Sequence, residues 1–152
     1  MTRIDFYGLP EVRDEARERF AVRLVTRAWR EGLRSLLLCA GPEDTDRVGE
    51  RLWQASDAFL PNERLGARRA AQAPIVVAAK HEADATILHE TGATGLLINL
   101  TDEVFEHFAS FDRVAEIVCD DEAARARARG HFRFYRERGY PLEYHDLAAS
   151  RS

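Results

Sequence analysis

Three short, almost wholly apolar runs constrain the fold of this chain most strongly. They cover residues 35–40 (SLLLCA), 75–79 (IVVAA) and 96–100 (LLINL). A run of this kind, without polar alternation, is typical of a strand buried on both faces in a parallel sheet. Parallel strands need long crossover connections, which are usually helices. The pattern therefore predicts one sheet with helices packed on its faces.

The segments around these runs predict further elements. Residues 3–8 are rich in branched and aromatic side chains, which indicates a first strand. Residues 11–31 carry an apolar stripe at helical spacing, and Gly32 supplies a C-terminal cap. The remaining predicted elements are a helix capped by Asp44 or Thr45, a surface connection over 62–73, a short strand over 86–89, a strand nearer the sheet edge over 113–119, and a helix over 123–138 capped by Asp120 or Asp121.

The order of these elements predicts the fold class. Strands and helices alternate at first, and later strands are separated by short helices. We therefore expect a three-layer α/β/α sandwich with a mainly parallel central sheet, similar to Rossmann folds. Of the 152 residues, 45% are hydrophobic, and no repeat or linker divides the chain. This composition predicts one domain over residues 1–152 with a core of its own.

The final predicted helix carries an unusual density of arginine. Its six arginines are Arg125, Arg127, Arg129, Arg133, Arg136 and Arg138. Spacings of four, four and three residues place Arg125, Arg129, Arg133 and Arg136 on one ridge, beside a face that carries Phe132 and Tyr135. The chain as a whole is acidic, with a net charge of -4. A solvated helix face is one explanation of the ridge, and a site for a short acidic peptide with a hydrophobic end is the other.

Sequence motifs for catalysis and cofactor binding are absent. Gly8-Leu-Pro is not a GxGxxG motif, Gly41 is not followed by GK[ST], and the carboxylates of Asp44 and Asp46 would repel a phosphate. His81-Glu82 and His89-Glu90 do not have the spacing of a metal site. No GxSxG motif occurs, and neither Cys39 nor Cys119 lies in a nucleophile motif. We expect no cofactor, no metal and no catalytic site.

The cellular location is predicted from two further features. The apolar runs are too short to span a bilayer, and the start MTRIDFYG lacks the pattern of a secretory signal. Cys39 and Cys119 each follow a strand-like run and form no CxxC pair, so we expect two buried thiols. Together these features predict a cytoplasmic protein.

The chain as a whole resembles the chi subunit family of bacterial DNA polymerase III, whose members associate with the clamp-loader complex. The motifs that carry the resemblance are Phe6-Tyr7, Ala28-Trp29-Arg30-x-Gly32, Leu52-Trp53 with Phe59-x-Pro61, Leu97-Ile98-Asn99-Leu100, and the segment Arg129-x-x-Phe132-Arg133-x-Tyr135-Arg136-x-x-Gly139-Tyr140. The segment over 78–95 matches the family poorly.

The resemblance implies a non-catalytic role between two partners. One partner is single-stranded DNA-binding protein, whose acidic C-terminal tail would bind at Val118, Arg129, Phe132 and Arg133. Phe132 and Arg133 stand where the family often has Tyr and Lys, so the ring and the charge are kept. The other partner is the psi subunit of the clamp-loader complex, expected at Trp53 and Phe59. Two alternatives stay open: a Rossmann-like nucleotide-binding enzyme and a module that binds nucleic acid directly.

Overall fold

A parallel sheet runs through the computed structural model, which describes residues 1–55, 60–67 and 70–147. The strands formed by the described residues are β1 (Arg3–Gly8), β2 (Ser35–Cys39), β3 (Asn62–Arg64), β4 (Ile75–Ala79), β5 (Leu96–Asn99), β6 (Arg113–Val118) and β7 (Leu142–Asp146). Their order across the sheet is β3-β4-β2-β5-β6-β1-β7, and every pairing is parallel.

Helices cover both faces of this sheet. The α-helices of the described residues are α1 (Asp14–Arg30), α2 (Pro42–Gln54), α3 (Ala85–Thr91) and α4 (Glu122–Glu137), and 3-10 turns occupy Ala70–Gln72 and Phe108–Ser110. Neighbouring residues of a strand point to opposite faces. Leu37 accordingly packs in the core beneath α1 and α2, whereas Leu36 and Leu38 pack in the core beneath α3 and α4. The predicted three-layer α/β/α class is confirmed.

The sequence had indicated that β6 is a strand nearer the sheet edge. In the structure, β6 lies inside the sheet. It pairs with β5 on one side and with β1 on the other. The alternation that suggested an exposed face comes from Arg113 and Glu116. Glu116 is buried, because hydrogen-bond donors from neighbouring elements surround its carboxylate.

Both edges of the sheet were missed by the sequence prediction. Strand β3 lies within the stretch interpreted as a surface connection, and β7 follows α4 where no strand was predicted. Their five or fewer residues are mostly polar and partly exposed, because an edge strand needs little apolar surface. Strand β7 pairs with β1 over Leu142–Asp146.

Two further predictions, one of a strand and one of a helix cap, also need correction. The short strand expected over 86–89 is wrong, because these residues belong to α3, where Leu88 packs into the core. The cap at Asp44 or Thr45 is wrong as well. Helix α2 begins at Pro42 after Gly41, since the fixed φ of proline suits the first helical position. By contrast, Asp121 caps α4 as expected, and its side chain accepts a hydrogen bond of 2.8 Å from the Ala124 amide.

Two glycines give opposite predictions for stability. A Cβ on Gly95 would lie 2.7 Å from the carbonyl oxygen of Arg34, which is backbone and cannot move aside easily. We expect Gly95→Ala to lower the free energy of unfolding by about 1–3 kcal/mol. A Cβ on Gly130, within α4, meets nothing within 4 Å. Gly130→Ala should raise the free energy of unfolding by about 1 kcal/mol, because alanine favours the helix.

Urea denaturation of both variants tests this pair. Equal stability of Gly95→Ala and the wild-type chain would contradict the close approach of β5 to the strand beside it.

Candidate peptide-binding site

A cavity of about 430 Å³ lies between α4 and strands β1, β6 and β7. We call it the α4 cavity. Its lining residues are Phe6, Val118, Arg125, Ala128, Arg129, Phe132, Arg133, Arg136 and Tyr144. The volume lies within the range of about 300–1,000 Å³ that is typical of sites for small ligands.

The floor of the α4 cavity is apolar and aromatic. Phe6 and Val118 are buried, and the Phe6 ring lies 5.4 Å from the Phe132 ring. Tyr144 stacks on Phe6 at 6.3 Å with an interplanar angle of 15°, while 49% of Tyr144 stays exposed. A planar or branched apolar side chain would therefore be enclosed by three aromatic rings.

Arginines form the rim of the cavity. Arg125, Arg129, Arg133 and Arg136 all line it, which agrees with the ridge that their spacing predicts. Arg133 and Arg136 form no ion pair with any residue that the structure describes. Arg125 pairs with Asp120 and Glu122, and Arg129 pairs with Glu122 at 3.1 Å.

Glu122 is an acidic neighbour of this rim. Its hydrogen bonds to Arg129 and then to Arg125, followed by the charges of the same two arginines, lower the pKa of Glu122. All three side chains are largely exposed, so water screens the pairs and their strength is small. An arriving carboxylate can replace Glu122 at Arg129 at little cost.

Arg127 of α4 and Arg138, which directly follows the helix, do not line the α4 cavity. Arg127 pairs with Asp102 at 3.4 Å. Arg138 lies 3.5 Å from the centre of the Phe134 ring and donates a hydrogen bond to the Phe134 carbonyl. Arg138 is therefore a matched control for any effect of charge alone.

The buried carboxylate of Glu116 fixes α4 on the sheet. It accepts hydrogen bonds from the Tyr135 hydroxyl at 2.7 Å and from the Asn99 amide at 3.0 Å, and its other oxygen lies 3.0 Å from Nδ1 of His131. Burial, and then the charge and hydrogen bond of Glu116, raise the pKa of Tyr135. The tyrosine hydroxyl stays a donor at all physiological pH values.

His131 lies between two acceptors. Nδ1 faces Glu116, and Nε2 lies 3.1 Å from the carbonyl oxygen of Asp102. Burial lowers the pKa of His131, but the hydrogen bond and charge of Glu116 and the bond to Asp102 together outweigh it, and the pKa is raised. The protonated ring, which has two N–H donors, satisfies both acceptors.

All four residues predicted for the partner tail lie on the α4 cavity. Val118 is the last residue of β6, and Arg129, Phe132 and Arg133 lie on one side of α4. The sequence reasoning did not assign Tyr144 or Phe6 to this site. Tyr144 was missed because β7 was not predicted. The sequence signal that could have indicated it was an aromatic residue in the short stretch after the last helix.

The second predicted site is only partly described. Trp53 lies on α2, and 46% of it is exposed, which agrees with an anchor on the surface. Phe59 lies outside the described residues.

The carboxyl ends of β2 and β5, where a doubly wound sheet commonly binds nucleotides, hold a small cavity of about 170 Å³. Four carboxylates line it, and two arginines accompany them. Glu18 and Asp44 each bond to Arg47 at 2.6 Å. The excess of negative charge disfavours a phosphate there.

One triad of the described residues has metal-binding composition, and it consists of Asp5, Glu143 and His145. Arg3 bonds to Glu143 at 2.7 Å and to Asp5 at 3.2 Å, so a guanidinium already neutralises these carboxylates. His81 and His89 do not belong to the triad. Cys39 and Cys119 are both free, buried thiols, as predicted, and burial raises the pKa of Cys39 to about 12.

Fold and cavity together define an α/β protein with an aromatic pocket and a cationic rim. The chain matches the family model described as DNA polymerase III chi subunit, HolC, over residues 1–143. It is 40% identical to DNA polymerase III subunit chi of Pseudomonas aeruginosa over 150 residues, which cover 97% of this chain and 98% of that protein. It is 28% identical to the subunit chi of Haemophilus influenzae over 138 residues, covering 90% of this chain and 92% of that protein.

The chain therefore belongs to the chi subunit family of DNA polymerase III, an accessory subunit in DNA replication. Solved structures show the same fold in distant proteins. T4 UvsW superposes with a TM-score of 0.70 at 6% identity, covering 96% of this chain and 41% of that one. The second helicase domain of the DEAD-box protein Mss116p superposes with a TM-score of 0.63 at 10% identity, covering 93% and 62%. No helix among the described residues is long and apolar enough to cross a membrane.

The raised pKa of His131 predicts a pH-dependent stability. A group whose pKa is higher in the folded chain contributes fully below its unfolded pKa, and the contribution is lost as the pH rises through the folded pKa. The stability difference between wild type and His131→Gln should therefore be larger at about pH 6 than at about pH 8.5. Urea denaturation at both pH values measures it.

His89→Gln is the control, because His89 is exposed on α3. If the stability difference between wild type and His131→Gln stays constant or grows as the pH rises between the two values, an ionised pair of His131 and Glu116 is contradicted.

Proposed function

We propose that this chain is a non-catalytic bridging subunit. It links the clamp-loader complex of DNA polymerase III to single-stranded DNA-binding protein in the cytoplasm during replication. The acidic C-terminal tail of the latter binds the α4 cavity. The observation that supports this proposal best is the combination of an aromatic floor with Arg129 and Arg133 on the rim.

The rim suits a carboxylate at the end of a peptide. A guanidinium can bind a carboxylate through two parallel hydrogen bonds, which are stronger than those between neutral groups. Arg133 has no ion pair among the described residues, and Arg129 has a weak, exposed pair with Glu122. In this proposal Arg133 binds first and Arg129 exchanges Glu122 for the arriving carboxylate.

The floor suits the side chain of the last residue. A phenylalanine ring entering between Phe132 and Tyr144 would cover Phe6 and Val118. Burial of an aromatic ring against other rings contributes most of the free energy of such contacts. The half-buried state of Phe132 and the exposed part of Tyr144 leave apolar surface for the partner.

The two alternative functions have less support. A nucleotide-binding enzyme would use the carboxyl ends of β2 and β5, where carboxylates outnumber arginines. Direct binding to nucleic acid needs several uncompensated cations, whereas Arg125 and Arg127 are paired and the net charge of the chain is -4. Titration with ATP and with a naked oligonucleotide tests both alternatives alongside the peptide.

Replacement of the rim arginines should weaken tail binding specifically. We expect Arg129→Ala or Arg133→Ala to cost about 2 kcal/mol of binding free energy for a peptide with an acidic run and a terminal Phe. Affinity should be modest and should fall with added salt, because the rim is exposed. Isothermal titration calorimetry measures both effects.

Arg138→Ala removes the same charge outside the cavity and should change affinity little. A loss with Arg138→Ala as large as that with Arg129→Ala would indicate a diffuse charge effect and would contradict a defined pocket.

We also propose that Trp53 docks the psi subunit, together with Phe59. Tryptophan is enriched among residues that dominate interface energies, and 46% of Trp53 is accessible to a partner. Trp53 lies on α2, on the opposite face of the sheet from α4. A chain with both sites can bind a tail and a clamp-loader subunit at the same time.

Trp53→Ala should weaken association with the psi subunit by about 2 kcal/mol without changing the unfolding transition of the isolated chain. Val12→Ala is the matched control, because Val12 is an apolar residue that is 60% exposed and lies before α1. Surface plasmon resonance with immobilised psi subunit compares the two. Equal affinity of both variants would remove Trp53 from the interface.

A further inference from the structure

A second cavity lies on the opposite face of the same strands. It has a volume of about 500 Å³ and is bounded by α1 and by β1, β6 and β7. We call it the α1 cavity. Neither proposal made above uses it: the tail proposal places the peptide at α4, and Trp53 lies on α2 and is not among the described residues that line the α1 cavity.

The α1 cavity is related to the α4 cavity through the sheet. Phe6 and Tyr7 are consecutive on β1 and point to opposite faces, as do Tyr144 and His145 on β7. Phe6 stacks with Tyr144 in the α4 cavity, and Tyr7 stacks with His145 in the α1 cavity at 4.8 Å and 14°. Each face of β1 and β7 therefore presents a stacked aromatic pair to its cavity.

Helix α1 supplies an apolar wall for the second cavity. Phe20, Leu24 and Ala28 lie four residues apart and line it together. The Phe20 ring lies 5.2 Å from the Tyr7 ring. Phe20, Leu24 and Tyr7 are each only partly buried, so apolar surface remains accessible to a ligand.

Two arginines of α1 stand on the rim of this cavity. Arg23 and Arg27 are four residues apart, which is also the spacing of Arg129 and Arg133 on α4. Arg23 lies over the Phe20 ring at 5.7 Å and forms no ion pair with any described residue. Arg27 is 81% exposed and has an exposed pair with Glu31 at 3.3 Å.

The remaining charges of the α1 cavity neutralise one another. Arg3 bonds to Asp5 and Glu143, and Arg113 lies 3.5 Å from Asp5. His145 also contacts Asp5, at 3.0 Å. Glu31 also lines the cavity and offsets Arg27, so the positive charge left for a partner is that of Arg23, and Arg27 becomes available where an arriving carboxylate replaces Glu31.

We propose that the α1 cavity is a second docking site for an acidic peptide segment that carries an aromatic or large aliphatic side chain. The choice of this chemistry rests on the proposed function of the α4 cavity. That cavity also combines a stacked aromatic pair, an apolar helix wall and two rim arginines four residues apart. Two rim arginines are too few to hold the backbone of a nucleic acid on an acidic chain. They suffice for one or two carboxylates beside an apolar side chain.

The test uses the full chain and a peptide with an acidic run and a terminal Phe. NMR titration should show two sets of shifted amides, one around α4 and one around α1. In the variant Arg129→Ala/Arg133→Ala the α1 set should remain. Adding Arg23→Ala and Arg27→Ala should lower the peptide affinity measured from the α1 set at least about 5-fold, because two charge-assisted contacts are lost. Arg19→Ala is the control, because Arg19 pairs with Glu15 on the same helix and does not line the cavity.

The outcomes separate this inference from the proposed function. Shifts confined to α4, which vanish in the variant Arg129→Ala/Arg133→Ala, would overturn the second site and leave the proposed function standing. Shifts confined to α1 would overturn the proposed tail site and keep the second one. An α1 set unaffected by Arg23→Ala and Arg27→Ala, or one produced by an oligonucleotide and not by the peptide, would also overturn the inference.

Discussion

The position of α4 depends on one buried carboxylate. Glu116 is only 5% exposed, and removing its charge from water is costly unless donors replace the water. Tyr135 and Asn99 donate to it, and His131 bonds to it when its Nδ1 carries a proton. Because Tyr135 and His131 belong to α4, their bonds to Glu116 fix the rotation and the height of the helix on the sheet. This rotation turns Phe132 toward Phe6 and leaves the arginine ridge on the rim.

The two cavities follow from the way in which β1 and β7 extend the sheet. Helices α1 and α4 each cover part of this end, one on either face, and neither covers it fully. Consecutive residues of a strand face opposite sides. Two consecutive aromatic residues in β1 and two in β7 therefore place one stacked ring pair on each face of the sheet. The two proposed sites therefore lie on opposite faces of the same strands.

The sequence was sufficient where the physical signal was local. The buried strands were predicted because their apolar runs are continuous, and the ridge was predicted because arginines at four-residue spacing share a helix face. Glu116 misled the prediction for β6, since its buried state depends on donors from other elements. Tyr144 was missed because β7 is polar and is defined by its pairing with β1, which is a contact distant in sequence.

In the proposed function, the α4 cavity recognises the end of a peptide chain through its terminal carboxylate and its last side chain together. The most direct measurement compares one acidic peptide ending in Phe with a free carboxylate and the same peptide ending in an amide. We expect amidation to weaken binding to the wild-type chain by roughly 10-fold or more, because Arg129 and Arg133 lose a charged acceptor. We expect amidation to have little effect on the variant Arg129→Ala/Arg133→Ala. Equal affinities of the two peptides for the wild-type chain would rule out recognition of the terminal carboxylate by the α4 cavity.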